Sequence, residues 1–202
     1  MTIDNVQVGF QNLSQGATPK ILNINRQGDL SIQNAGSDYQ EMALRGTLFN
    51  ASNTAAQAVS VGLATTYTGL CLSNPPNSGY NLVLLGCNYA LTVAPAGIAS
   101  LHLIAGYSAT EVTHTTPGTV KSNVIGRTSD SVAKIDTSAT IATPTYLISL
   151  GSGFTAAALY ATTPNWIDLK GQFIIPPGGF VAIGALTAVT GLGSFTWAEL
   201  PV

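Results

Sequence analysis

Ser194-Phe195-Thr196-Trp197-Ala198-Glu199-Leu200 alternates strictly, with Phe195, Trp197 and Glu199 on one face and Thr196 and Ala198 on the other. A period of two is the signature of a β-strand with one buried face, and a Trp at its centre marks that face as core. Upstream, Gln172-Phe173-Ile174-Ile175 runs through Pro176-Pro177-Gly178-Gly179 into Phe180-Val181-Ala182-Ile183. Two Pro fix the approach and two Gly free the exit, which predicts a β-hairpin. Neither face of these segments is polar enough to lie in water, so two packed sheets are the natural solution.

Working back, the same logic predicts strands at Tyr80 to Cys87, at Tyr89-Ala90-Leu91-Thr92-Val93 and at Ala99 to Ala105. Asn74-Pro75-Pro76-Asn77-Ser78-Gly79 and Pro95-Ala96-Gly97 are the turns before and between them. In Ala58-Val59-Ser60-Val61-Gly62-Leu63-Ala64, the residues Val59, Val61 and Leu63 are expected on one strand face. Residues 108–143 are rich in Thr, Ser and Gly and show little periodicity; so long a stretch is functional, disordered or built of short strands. Thr155 to Tyr160 suits a short helix that Pro164 would stop. The fold class expected is all-β: an antiparallel β-sandwich over residues 46–202, with a jelly roll as one arrangement. Residues 1–45 form an N-terminal arm or an edge hairpin, with extended candidates at Ile21-Leu22-Asn23-Ile24 and Leu30-Ser31-Ile32.

Charged residues are 8% of the 202, against about 25% in an ordinary soluble domain. Subunit contacts exclude unpaired charge from their centres, so the deficit points to assembly as a homo-oligomer. The formal net charge is -2, and Lys20, Arg26, Arg45, Lys121, Arg127, Lys134 and Lys170 are scattered. No patch is expected to neutralise several phosphates together, which argues against a nucleic-acid partner. No apolar run is long enough for a membrane-spanning helix, and Met1-Thr2-Ile3-Asp4-Asn5 does not read as a secretory signal.

Chemistry-bearing residues are few. Cys71 and Cys87 lie in apolar stretches and read as buried thiols, able in principle to pair across adjacent strands. His102 faces away from Leu101 and Leu103, and His114 sits in a polar stretch. Two His and two Cys without local pairing do not make a zinc site, and no Ser occupies a G-x-S-x-G elbow. Cys71 with His102 or His114 is the one cysteine-nucleophile option. The carboxylates Asp4, Asp29, Asp38, Glu41, Glu111, Asp130, Asp136, Asp168 and Glu199 read as isolated surface or turn groups, with Glu41 and Glu199 a formal glycosidase pair. No catalytic residue, cofactor or metal site is therefore expected. Tyr107, Tyr146, Tyr160 and Trp166 are candidates to stack on sugars or to anchor an interface.

Tyr39-Gln40-Glu41 through Arg45-Gly46-Thr47-Leu48-Phe49-Asn50-Ala51, and Thr66-Tyr67-Thr68-Gly69-Leu70-Cys71-Leu72-Ser73-Asn74-Pro75, are arranged as in small structural proteins of tailed bacteriophages. With Gly171 to Gly179 and Thr196 to Leu200, they resemble the head-decoration and head-fibre type. The resemblance implies a non-enzymatic virion protein, made in the host cytoplasm, often trimeric and in contact with other capsid or virion proteins. A host-surface or glycan-binding phage component is the alternative it leaves open.

Overall fold

A computed structural model describes residues 38–95, 97–108, 112–153 and 166–202. Helix α1 (Asp38–Arg45) leads into β1 (Leu48–Ser52), β2 (Gln57–Val59), β3 (Thr66–Ser73), β4 (Tyr80–Leu91) and β5 (Ala99–Tyr107). There follow β6 (Thr113–His114), β7 (Lys121–Ser122), β8 (Lys134–Thr140), β9 (Thr145–Gly153), β10 (Ile167–Ile175), β11 (Gly179–Ala185) and β12 (Val189–Pro201). Every ladder between strands is antiparallel. One sheet runs β10-β4-β12-β1-β7, with β2 also on β12; the other runs β6-β8-β3-β11-β5-β9.

The sheets enclose one core in a sandwich-like arrangement. Phe49, Leu82, Leu84, Phe195 and Trp197 come from the first sheet, and Leu70, Leu72, Leu101, Leu103, Val181 and Ile183 from the second. Trp197 is paired with Phe49 across the ladder, their ring centroids 6.3 Å apart. The alternation of Phe195, Trp197 and Glu199 is realised, and all three are buried. In Leu82-Val83-Leu84-Leu85 the first and third residues face the core and the second and fourth the outer face; β4 then carries a bulge, for Trp197 opposes Leu84 and Thr196 opposes Gly86, so Leu85 is the extra residue. The bulge shifts the phase so that Cys87 and Tyr89 join Leu82 and Leu84 in the core, while Leu85 stays on the outer face. There Leu85 meets Leu48 and Ala198 under Met42 and Ala43 of α1.

The second sheet is buried on its outer face too. Tyr67, Cys71, Ile104, Phe180 and Ala182 form a second cluster with Val112, Ala139 and Ile141. This explains why β11 reads as a continuous apolar run: all seven of its residues are buried.

Several expectations are corrected. Residues 172–183 are not a hairpin: β10 pairs with β4 and β11 with β3 and β5, in opposite sheets. Pro176 and Pro177 supply no donors for a ladder, and the chain arches from one sheet to the other. Asn74 to Gly79 forms a neighbouring arch from β3 to β4. Asn74 joins the two: its N–H donates to Gly179 O (2.9 Å), its carbonyl accepts from Gly178 N (2.8 Å), and Nδ2 donates to Tyr80 O (2.7 Å) and Ile175 O (2.9 Å). Gly178 has φ +88°, and a Cβ there would stand 2.4 Å from Ser108 O, so only glycine closes this junction.

The strand expected over 58–64 stops at Val59; Gly62 takes φ +70°, and Val61 and Leu63 are exposed. Strand β12 starts at Val189, ahead of the alternating run from Ser194, and takes in Gly191 and Gly193, which are pressed against Ala90 O and Ile183. Within 108–143 the chain builds β6, β7 and β8. The arm or hairpin expected over 1–45 lies, up to residue 37, outside the described residues, and 38–45 form α1. The helix expected at 155–160 also lies outside them.

Candidate functional site

Strand β3 places Cys71 opposite Ala182 on one side and Asp136 on the other, inside the outer cluster of the second sheet. Cys87 faces the main core from the first sheet. Both thiols are free and buried, and the sheets hold them apart. Burial pushes the Cys71 thiol far up, and the Asp136 charge pushes it further. Burial alone raises Cys87 to about 12. A nucleophilic cysteine needs the opposite environment, electropositive and accessible, so Cys71 is not primed by His114.

His114 Nδ1 instead meets Asp136 Oδ2 at 2.5 Å. Asp136 is 0% exposed, and its Oδ1 has no hydrogen-bond partner among the described residues. Burial raises the carboxyl above the usual range, while the bond to His114 and its charge act against this. The pair ties the two-residue β6 to β8 at the sheet edge. His102 lies on the outer face as expected, 3.1 Å from Ser100 Oγ and edge-on to the Tyr146 ring, centroids 5.1 Å apart. The two histidines have separate partners. Among the described residues, no group of three or more His, Cys, Asp or Glu is placed to hold a metal ion.

The reading of all carboxylates as surface or turn groups is corrected at two positions. Asp136 is one. Glu199 is the other: its carboxylate accepts from Ser131 Oγ (2.5 Å), Val132 N (3.2 Å), Ala133 N (3.4 Å) and Trp197 Nε1 (3.2 Å). It fastens residues 131–133 to β12. Glu41 is engaged on α1 by Arg45, so it and Glu199 serve different neighbours. The phase of Glu199 with Phe195 and Trp197 carried the signal for its burial; Asp136, between Ile135 and Thr137, carried none. Glu111 and Tyr160 lie outside the described residues.

The exposed aromatics do not converge. Tyr107 and Tyr146 belong to the second sheet, whereas Trp166, 49% exposed, rests against Gly86 of the first. Beside it Asp168 accepts from Tyr39 Oη at 3.5 Å.

What does converge is apolar. At the end of the sandwich away from the arches, residues 60–65, 92–98 and 186–188 meet through Gly62 N to Ala185 O (2.8 Å), Leu186 N to Ser100 O (3.1 Å) and Thr187 Oγ1 to Ile98 O (3.0 Å). These three loops expose Val61, Leu63, Val93, Ile98 and Leu186 and contain no charged residue. No other part of the described residues covers these aliphatic groups. No family model, no curated protein and no solved structure matches the chain.

Proposed function

We propose that the chain is a non-enzymatic structural protein of a virion, of the capsid-decoration or head-fibre type, acting through subunit–subunit contacts. The observation that carries this reading is the uncharged loop end with its five exposed aliphatic residues. Such a surface is stable in water only at a cost of about 25 cal/mol for each Å² left uncovered, and contact with another protein removes that cost. The low charge content acts in the same direction.

The strand order supports a jelly roll within this proposal. Setting aside β2 and the β6–β8 insertion, the pairs are nested: β1 with β12, β3 with β11, β4 with β10 and β5 with β9. Rolling up one long antiparallel hairpin gives this nesting, and jelly rolls serve in viral capsid and lectin domains. That link is an analogy of architecture, and the functional weight stays on the surface. The trimer rests on the sequence resemblance.

Sedimentation equilibrium at low and molar salt tests the reading, together with pull-down on empty capsids. Association that persists in high salt is expected, because apolar burial is not screened. A monomer at high micromolar concentration that also fails to bind particles refutes it.

Trp166 favours a second reading, a glycan-binding component: an exposed ring beside a carboxylate suits a sugar face and its hydroxyls. Trp197 is wholly buried, so a change in Trp fluorescence on adding host glycans that Trp166→Ala abolishes distinguishes this alternative.

A further inference from the structure

The outer face of the first sheet carries a strip of polar side chains. Residues paired across antiparallel strands share one face, so the ladders fix its course. Asp168 of β10 opposes Gly86 of β4, Gly86 opposes Thr196 of β12, Thr196 opposes Asn50 of β1, and Asn50 opposes Lys121 of β7. In the neighbouring row, Ser194 opposes Asn88 on one side and Ser52 on the other. Phe49, Cys87, Phe195 and Trp197, their neighbours in sequence, point into the core, which puts both rows outside. At about 4.8 Å between strands, the row from Asp168 to Lys121 spans about 19 Å. Helix α1 covers the next row, with Leu48 and Ala198, and so borders the strip on one side.

The two ends of the strip differ. At the β10 end the Trp166 ring lies against Gly86, where any side chain would collide with it, and its residue is half-exposed. At the β7 end Asn50 and Lys121 open into a cavity of about 570 Å³, with Asn123, Arg127 and Ser129 also in its walls and no described carboxylate among them. Arg127 has Asp130 at 3.9 Å, whereas Lys121 has no carboxylate partner among the described residues. Between the ends, Ser52, Asn88, Ser194 and Thr196 form no side-chain hydrogen bond with another described residue, so their donors and acceptors are open to a ligand.

We infer that this strip binds an oligosaccharide bearing a carboxylate, with a sugar ring on Trp166 and the acid group at Lys121. The inference rests on the glycan reading of Trp166 and names its ligand; the assembly reading is independent of it. An aromatic ring takes the apolar face of a sugar, and hydroxyl and amide side chains both donate to and accept from its hydroxyls. A carboxylate at Lys121 gains a charge-assisted hydrogen bond, and the charge of Asp168 keeps it from the Trp166 end. A span of about 19 Å is longer than one sugar ring, which makes the ligand an oligomer. A nucleic-acid strand would need several phosphates neutralised together, and the strip offers one cation without a carboxylate partner.

The test uses the full chain. Sialylated and uronate-terminated oligosaccharides are the probes, each beside its carboxyl-reduced form, in titrations followed by Trp fluorescence and calorimetry. An acidic probe is expected to bind at least ten-fold more tightly than its reduced form, and to lose that margin in molar salt. Lys121→Gln should lower its affinity at least ten-fold and leave that of the reduced form unchanged, whereas Trp166→Ala should weaken both. Far-UV dichroism should stay native in each variant, because both side chains are exposed. Reduced probes that bind as tightly as acidic ones, or acidic binding indifferent to Lys121→Gln, overturn the inference and leave the glycan reading standing. Failure of every probe to bind, or binding indifferent to Trp166→Ala, overturns both.

Discussion

Replacing Asn74 by Ala tests the account of how the two sheets are joined. The side chain is 2% exposed, and Nδ2 donates to the carbonyls of Tyr80 and Ile175, one in each arm of the double arch. Alanine removes both bonds; it leaves the buried Ile175 carbonyl without the amide, whereas Tyr80 O keeps Ser78 Oγ at 3.2 Å. Each net bond is worth about 1 kcal/mol, and each stranded polar group costs about 1–3 kcal/mol more. Asn74 Oδ1 is itself buried without a partner, so its removal returns part of that loss. The balance is a destabilisation of about 2–4 kcal/mol, or on the order of 10 °C in Tm for a chain of this size. Urea unfolding followed by Trp fluorescence, at one fixed protein concentration, measures it. Asn74→Asp is expected to cost more at neutral pH, because its carboxylate faces two carbonyl oxygens, and to recover as acid protonates it. If Asn74→Ala lies within about 0.5 kcal/mol of the parent, the amide is not the tie between the arches.

Three further outcomes follow from the buried polar groups. Glu199→Gln places an amide N–H against backbone donors that now meet a carboxylate, and should cost about 1–3 kcal/mol in urea unfolding; limited proteolysis should then cut near residues 131–133 first. The Asp136 carboxyl is raised in the folded protein, so folding holds its proton more tightly than the unfolded chain does. The wild type should therefore gain stability relative to Asp136→Asn as pH falls through the window just above the ordinary carboxylate value of 3.8, and lose that gain as pH rises through it; an unfolding difference flat from pH 3.5 to 7 refutes this. Thiol reagents at pH 8 should react with Cys71 and Cys87 only as fast as the chain opens, and with both at once in denaturant, because burial keeps each thiol protonated. Rapid labelling of native Cys71 would contradict its placement.

The strands were legible wherever one face alone is buried. Phe195, Trp197 and Glu199 announce β12 by alternation, and Leu101-His102-Leu103 announces β5 with its outward histidine. The partners of those strands were not legible. Phe173 to Ile183 has the composition of a hairpin, and only Asn74, about a hundred residues away, turns it into a crossing between sheets. Strand β8 escaped because its outer face is sealed by the segment around Val112 and His114, so that Asp136 is buried where a polar residue would mark the surface. The loop end was legible in composition, as Ser60-Val61-Gly62-Leu63-Ala64 and Thr92-Val93-Ala94-Pro95 carry no charge. Its reading as a strand face failed at Gly62, whose left-handed backbone ends the extended chain.

The positions of β11 and β12 in their sheets bear on when the protein can fold. Each is flanked on both sides by strands made before it: β11 lies between β3 and β5, and β12 between β1 and β4. On the ribosome, β1 and β4 therefore wait through more than a hundred residues of synthesis for the strand that joins them, with Leu82, Leu84 and Phe49 still unpacked. Contacts so distant in sequence make the closing step slow and leave apolar edges open to other nascent chains. Neither sheet is complete until β11 and β12 have emerged, so the sandwich closes late, after its other strands have waited with their apolar faces uncovered.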